Sequence, residues 1–128
     1  MANILTYLFG ALLVAAGFNH FVNPNLYNPF IPEFMPRLAV NYASGLAEIV
    51  VGAGVFLPRF RKAATLGILV LMILFLPLHV IDVFRENPAI GSHTAAVIRL
   101  PVQFVLIAWA WYCWASASKR HTRRASKR

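Results

Sequence analysis

Apolar residues run along the chain in four long stretches, Ile4 to Val22, Leu38 to Leu57, Ala63 to Ile81 and about Ala95 to Ala115. At about 1.5 Å of rise per residue, roughly 20 such residues cross the hydrocarbon core of a bilayer as a helix. The pattern predicts an all-α fold, an integral membrane bundle of four transmembrane helices in residues 1–118, followed by a basic tail in residues 119–128. Only Asn3 is polar before the first stretch and no Lys or Arg precedes it, so that stretch reads as a retained helix and not as a signal peptide. Between the first two spans, residues 23–37 interleave Pro24, Pro29, Pro32 and Pro36 with Leu26, Tyr27, Phe30, Ile31, Phe34 and Met35. The prolines forbid a long regular helix, and the apolar content is too high for a solvated loop. Two readings stay open for this segment: a lid over the outer mouth of the bundle, or a connector anchored among the headgroups.

Small residues mark where helices approach closely: Gly10, Ala11, Ala15, Ala16 and Gly17 in the first span, and Ala43, Ser44, Gly45, Ala47, Gly52, Ala53 and Gly54 in the second. Pro77 is expected to kink the third span just before His79 and to turn that side chain inward. The fourth span has Pro101 near its start, and Trp109, Trp111, Tyr112 and Trp114 near its end form an expected interfacial belt.

Composition sharpens the class without changing it. Of 128 residues, 59% are hydrophobic and only 12% charged, which describes a membrane protein; the single cysteine, Cys113, precludes an internal disulfide or a CxxC redox pair. The net charge of +8 is concentrated: of twelve Lys and Arg residues, Arg59, Arg61, Lys62, Lys119, Arg120, Arg123, Arg124, Lys127 and Arg128 fall after even-numbered spans, against Arg37, Arg85 and Arg99 on the other side. This asymmetry predicts an N-in/C-in topology. The tail carries no interleaved aromatic residue, so it reads as a topology determinant meeting anionic headgroups, with no nucleic-acid role.

Charge inside the apolar stretches points to a site. Glu48 sits roughly 15 Å deep in the second span, where a carboxylate costs at least about 2.5 kcal/mol unless it is paired, protonated or facing a cavity. His20 ends the first span, His79 and Asp82 the third, and Arg99 and Gln103 open the fourth; the opposite halves of all four spans carry no Asp, Glu, His, Lys or Arg. The expected arrangement is a polar funnel with Glu48 and Gln103 at its floor and His20, His79, Asp82 and Arg99 around its rim. Ser44, Glu48 and Gly52 share a helix face, as do Arg99 with Gln103 and His79 with Asp82. The candidate ligand-binding residues are therefore His20, Glu48, His79, Arg99 and Gln103. Against this stands a structural reading, in which Glu48 pairs with Arg99 or a histidine to fix helix register, and Asp82 is a solvated helix end. A metal site formed by His20, Glu48 and His79 is set aside, because the three come from separate helices without HxxxH or HxxE spacing.

The run Gly17-Phe18-Asn19-His20-Phe21, then Pro24, Tyr27, Ile31-Pro32 and Pro36, then Ser44-Gly45-Leu46-Ala47-Glu48 with Gly52, and later Arg99-Leu100-Pro101-Val102-Gln103 resembles the DoxX-like family of small four-helix bacterial membrane proteins. The resemblance spans Ile4 to Trp114. It implies a multi-pass protein of the bacterial inner membrane associated with oxidoreductase or oxidative-stress complexes, since the family is named for a membrane subunit of an archaeal thiosulfate:quinone oxidoreductase. The thiol-redox enzymes of the wider superfamily, which resemble vitamin K epoxide reductase, use cysteines that this chain lacks. Three function classes remain open: an accessory oxidoreductase subunit binding quinone or another amphiphile, a proton-coupled carrier of a small molecule, and a non-catalytic membrane chaperone or scaffold. The partners these readings admit are the lipid bilayer, a small amphiphilic ligand, an oxidoreductase subunit and further copies of the chain.

Overall fold

The computed structural model describes residues 1–126, so Lys127 and Arg128 of the expected basic tail lie outside the described residues. Four helices, α1 (Ala2–Val22), α2 (Arg37–Gly54), α3 (Arg61–Val83) and α4 (His93–Ala125), account for the architecture, with no strand among the described residues. Consecutive helices are antiparallel neighbours. The closest pairs are α1 with α2 and α3 with α4, and lighter contacts of α2 with α3 and α1 with α4 close the ring.

By length and composition, α1, α3 and α4 are long and apolar enough to cross a membrane. At 18 residues α2 is shorter, and Arg37, Asn41 and Glu48 dilute its apolar content. It ends at Gly54, not at Leu57 as the apolar pattern predicts, because Phe56 N and Leu57 N bond back only three residues, to Ala53 O and Gly54 O, and Pro58 follows. In contrast, α4 continues past Ala115 to Ala125. No Gly or Pro interrupts residues 116–125, and Ala, Lys and Arg are good helix formers, so the described part of the basic tail is an extension of α4. The outer surface of the bundle is rich in large apolar side chains, among them Leu8, Leu12, Leu46, Val50, Ile73, Leu74 and Val105.

Glycines set the α1–α2 spacing. Gly10 lies against the Gly52 carbonyl and Gly17 against the Gly45 carbonyl, and each contact is reciprocated. The two glycines of each helix are seven residues apart, two turns along one face, so the antiparallel backbones touch at two levels. A Cβ at Gly17 would stand 2.6 Å from Gly45 O, and one at Gly45 2.6 Å from His20 Cβ.

One end of the bundle is apolar inside. Phe9, Leu13, Val55, Ala64, Ile68, Leu69, Met72, Ala110 and Cys113 form its core. Phe9 packs on Trp109 with ring centroids 4.6 Å apart. The aromatic run of α4 thus divides, since Trp109 and Trp114 pack on the core while Trp111 and Tyr112 face outward. At the same end, Arg61 has a structural duty beyond its charge: Nε donates to Val55 O at 2.8 Å and Nη2 to Tyr7 Oη at 2.7 Å. One side chain thereby caps the end of α2 and ties it to the starts of α1 and α3.

Candidate functional site

The other half of the bundle holds a partly open cavity of about 490 Å³ lined by all four helices, and the proline-rich segment covers part of it. That segment forms two 3-10 turns, Pro24–Leu26 and Asn28–Phe30, each with proline in its first turn, where the missing N–H costs nothing. It is fastened at several points. Tyr27 stacks on His20 with ring centroids 3.6 Å apart, Phe30 meets His79 edge-on at 5.8 Å, Ile31 is buried, and Arg85 Nη1 donates to Pro29 O at 2.6 Å. These contacts set Tyr27, Phe30 and Ile31 in the cavity lining.

Four of the five expected site residues, His20, Glu48, His79 and Arg99, line this one cavity; the remaining lining is mostly apolar, with Phe9, Leu13, Met72, Phe75 and Leu106 at its depth. Gln103 does not line it. This side chain is fully buried between α4 and α3, and its Nε2 donates to Met72 O at 2.6 Å. It is a helix-to-helix tie, so its expected place on the funnel floor is corrected. Asp82 departs from expectation as well. At 2% exposure it is neither a solvated helix end nor part of the cavity rim; it accepts from Ala89 N at 2.5 Å and Ile90 N at 3.3 Å and so braces the α3–α4 connection. Gly91 then takes φ +111°, a conformation that favours glycine, and Ser92 caps α4 by accepting from Ala95 N at 3.1 Å.

Of the two partners expected for Glu48, Arg99 or a histidine, the structure brings the histidine of α1. Glu48 Oε2 lies 3.6 Å from His20 Nε2, with both side chains buried, and no Lys or Arg forms an ion pair with Glu48 among the described residues. The far side of the His20 ring is held by Asn41: Nδ1 and Asn41 Oδ1 are 2.5 Å apart, while Asn41 Nδ2 donates to His20 O at 3.2 Å and reaches Pro24 O at 3.5 Å. Asn41, fully buried, was not singled out by the sequence reading. Its spacing carries the signal in retrospect, since it stands one turn before Gly45 and two turns before Glu48 on the same face. His79 lies two residues beyond Pro77, in an α3 that runs on to Val83, and faces the cavity as expected.

Two buried polar atoms of the cavity residues have no hydrogen-bond partner, Glu48 Oε2 and Arg99 Nη1. Leaving such groups unsatisfied costs roughly 1–3 kcal/mol each, and more when charged, so they mark places where a bound group would be stabilised. No group of three or more His, Cys, Asp or Glu side chains suited to sharing a metal ion occurs among the described residues. The chemistry available is therefore hydrogen bonding and proton holding around an apolar chamber.

Residues 9–114 match the family model described as a domain of unknown function (DUF8561), and the chain belongs to that family. The matched segment contains every residue lining the cavity and stops before the basic extension of α4. No curated protein and no solved structure matches the chain.

Proposed function

We propose that this DUF8561 protein is a DoxX-like, four-span protein of a bacterial inner membrane that binds a quinone or another small amphiphile in its partly covered cavity, as an accessory subunit in membrane redox chemistry. The observation that carries the reading is the presence, in one largely apolar chamber, of a carboxylate oxygen and a guanidinium nitrogen that are both buried and both without a hydrogen bond. An amphiphile with an apolar body and separated polar oxygens meets the guanidinium directly, and meets Glu48 when the His20–Glu48 pair carries a proton. A quinone supplies two carbonyl oxygens on opposite sides of a ring and the capacity to take up electrons with protons. Arg99 would donate to one oxygen, and the His20–Glu48 pair would hold a proton near the other. Cys113 is the chain's one thiol and is buried in the core, so no dithiol within the chain supplies electrons, and on this reading they would come from a partner subunit.

A fourth span is favoured by how α2 is oriented. Its Asn41 and Glu48 are buried against the bundle while Leu46 and Val50 face outward, so the surface it would offer to lipid is more apolar than its composition. An N-in/C-in orientation rests on the basic end bearing Arg59, Arg61, Lys62, Lys119, Arg120 and Arg123. Reporter fusions should place that end in the cytoplasm and the Pro24–Phe30 cover outside; a cytoplasmic cover would refute the orientation.

Native mass spectrometry of the protein released from its own membranes tests the ligand. Retained quinone supports the proposal, and a co-purifying protein with no small molecule would favour a scaffold instead. The buried His20–Glu48 pair gives a second reading some support, a proton-coupled carrier, for which proton flux across liposomes driven by a solute gradient is the discriminating measurement.

A further inference from the structure

We infer that His20 and Glu48 jointly hold one dissociable proton, set in place by Asn41, so that the cavity carries an excess positive charge and admits neutral or anionic oxygen acceptors while rejecting cations. This rests on the cavity being the ligand site. The hydrogen-bond pattern supplies the first step. Asn41 Nδ2 faces two backbone carbonyls, His20 O and Pro24 O, which only accept. The amide is therefore oriented with Oδ1 toward the ring, and Oδ1 also only accepts. His20 must then carry its ring hydrogen on Nδ1 to make the 2.5 Å contact.

The consequence falls on the other nitrogen. In a neutral ring with Nδ1–H, Nε2 is a bare acceptor, and it faces Glu48 Oε2 at 3.6 Å. Two acceptors facing each other in a buried site repel, and a carboxylate that is buried with no hydrogen bond to this oxygen needs an opposite charge or a proton of its own. Both needs are met by one more proton, either on Nε2, giving an imidazolium beside a carboxylate, or on Glu48, giving a neutral acid beside a neutral ring. In either arrangement the pair is neutral overall.

The remaining titratable groups that face the cavity are Tyr27 from the cover, His79 from α3 and Arg99 from α4. None of them contributes a negative charge in its ordinary state, and Arg99 contributes a positive one. The carboxylate of Asp82 is turned away, onto Ala89 N and Ile90 N. Arg99 is thus left uncompensated, and its free Nη1 is a donor. A cation entering the chamber would meet that charge in a poorly solvated site. A carbonyl, carboxylate or phenolate oxygen would find two donors, the guanidinium and the shared proton.

The test uses the full chain in phosphatidylcholine nanodiscs. Nitrogen NMR of histidine-labelled protein, with the His20 signal assigned by its loss in His20→Gln, reads the ring directly. The expected result is an Nδ1-protonated ring in the wild type that shifts toward the Nε2–H tautomer in Asn41→Leu. A wild-type ring protonated on Nε2 alone would overturn the inference, whether or not the variant folds. Binding is then compared for three ten-carbon probes: a decyl-substituted benzoquinone, decanoate and decyltrimethylammonium. The first two should bind at least about tenfold more tightly than the cation, and Arg99→Gln should narrow that gap. Equal or tighter binding of the cation would refute the charge argument. If none of the three binds, the cavity is not the ligand site and the ligand class falls with it, whereas an Nδ1-protonated ring would still uphold the Asn41-set tautomer from which the shared proton is inferred.

Discussion

Gly45→Ala adds one methyl group where α1 and α2 touch, and the structure fixes what that methyl must meet. The new Cβ would stand 2.6 Å from His20 Cβ, 2.8 Å from Gly17 O and 3.1 Å from His20 Cγ. The tightest of these is about 0.8 Å short of ordinary van der Waals contact at 3.4 Å. Neither neighbour is the end of a flexible chain, since one is backbone and the other the first carbon of a buried side chain, so the helices must separate. Overpacking of this kind costs about 1–3 kcal/mol, and replacing glycine by alanine within a helix returns up to about 1 kcal/mol of that. The expected net loss is about 1–2 kcal/mol of stability, a small effect beside the functional one. Separation at Gly45 moves His20 away from both Asn41 and Glu48, because all three contacts lie at the same level of the α1–α2 seam. Thermal unfolding in detergent or nanodiscs reads the first effect, and retention of the quinone probe together with the His20 ring signal reads the second. Gly91→Ala is the control: it meets nothing within 4 Å, so its cost is the strain of φ +111° alone, roughly 1–2 kcal/mol, and it should leave the His20 signal in place. An unchanged melting temperature and ring signal in Gly45→Ala would refute the close-approach argument.

Three further outcomes follow from the same geometry. Glu48→Gln should leave assembly intact and remove ligand retention; adding Arg99→Gln should not restore stability, since the two are not paired, and a restored melting temperature in the double variant would show that they are. Asp82→Asn keeps one acceptor but loses the charge that holds Ala89 N and Ile90 N, and should cost about 1–3 kcal/mol with faster amide exchange confined to the α3–α4 connection; uniform exchange along the chain would contradict a local brace. Arg61→Gln should lower stability by about 1–3 kcal/mol through loss of the bonds to Val55 O and Tyr7 Oη, whereas Arg59→Gln, with no such bonds, should be near neutral; equal effects would mean that only charge matters.

The division of the bundle into an apolar end and a polar end was legible along the chain, because burial of charge in an apolar stretch is costly wherever it occurs and so leaves a mark in one dimension. The glycine spacing was legible for a related reason: Gly10 and Gly17, or Gly45 and Gly52, fall on one face by helical period alone. Four of five expected site residues reached one cavity on the strength of depth alone, since residues at one depth on neighbouring helices can hardly avoid each other.

What depth cannot supply is rotation. Periodicity says which residues share a face but not which neighbouring helix that face meets, and here the glycine contacts set the rotation of α1 against α2. They bring His20 against Gly45 and beside Asn41, so Glu48 is approached by a histidine from α1 and not by Arg99 from α4. The same ignorance of rotation placed Gln103 in the funnel when it faces the backbone of α3. Asp82 was misjudged, and the structural role of Arg61 went unread beside its charge, because their bonds go wholly or in part to backbone atoms, Ala89 N and Ile90 N or Val55 O, and every residue offers those atoms alike. Such partners leave no trace in side-chain pattern. Sequence alone therefore determined which segments are helices and where polarity is stored along them; only the packed bundle decided which polar group meets which, because that depends on rotations fixed by contacts of a fraction of an ångström.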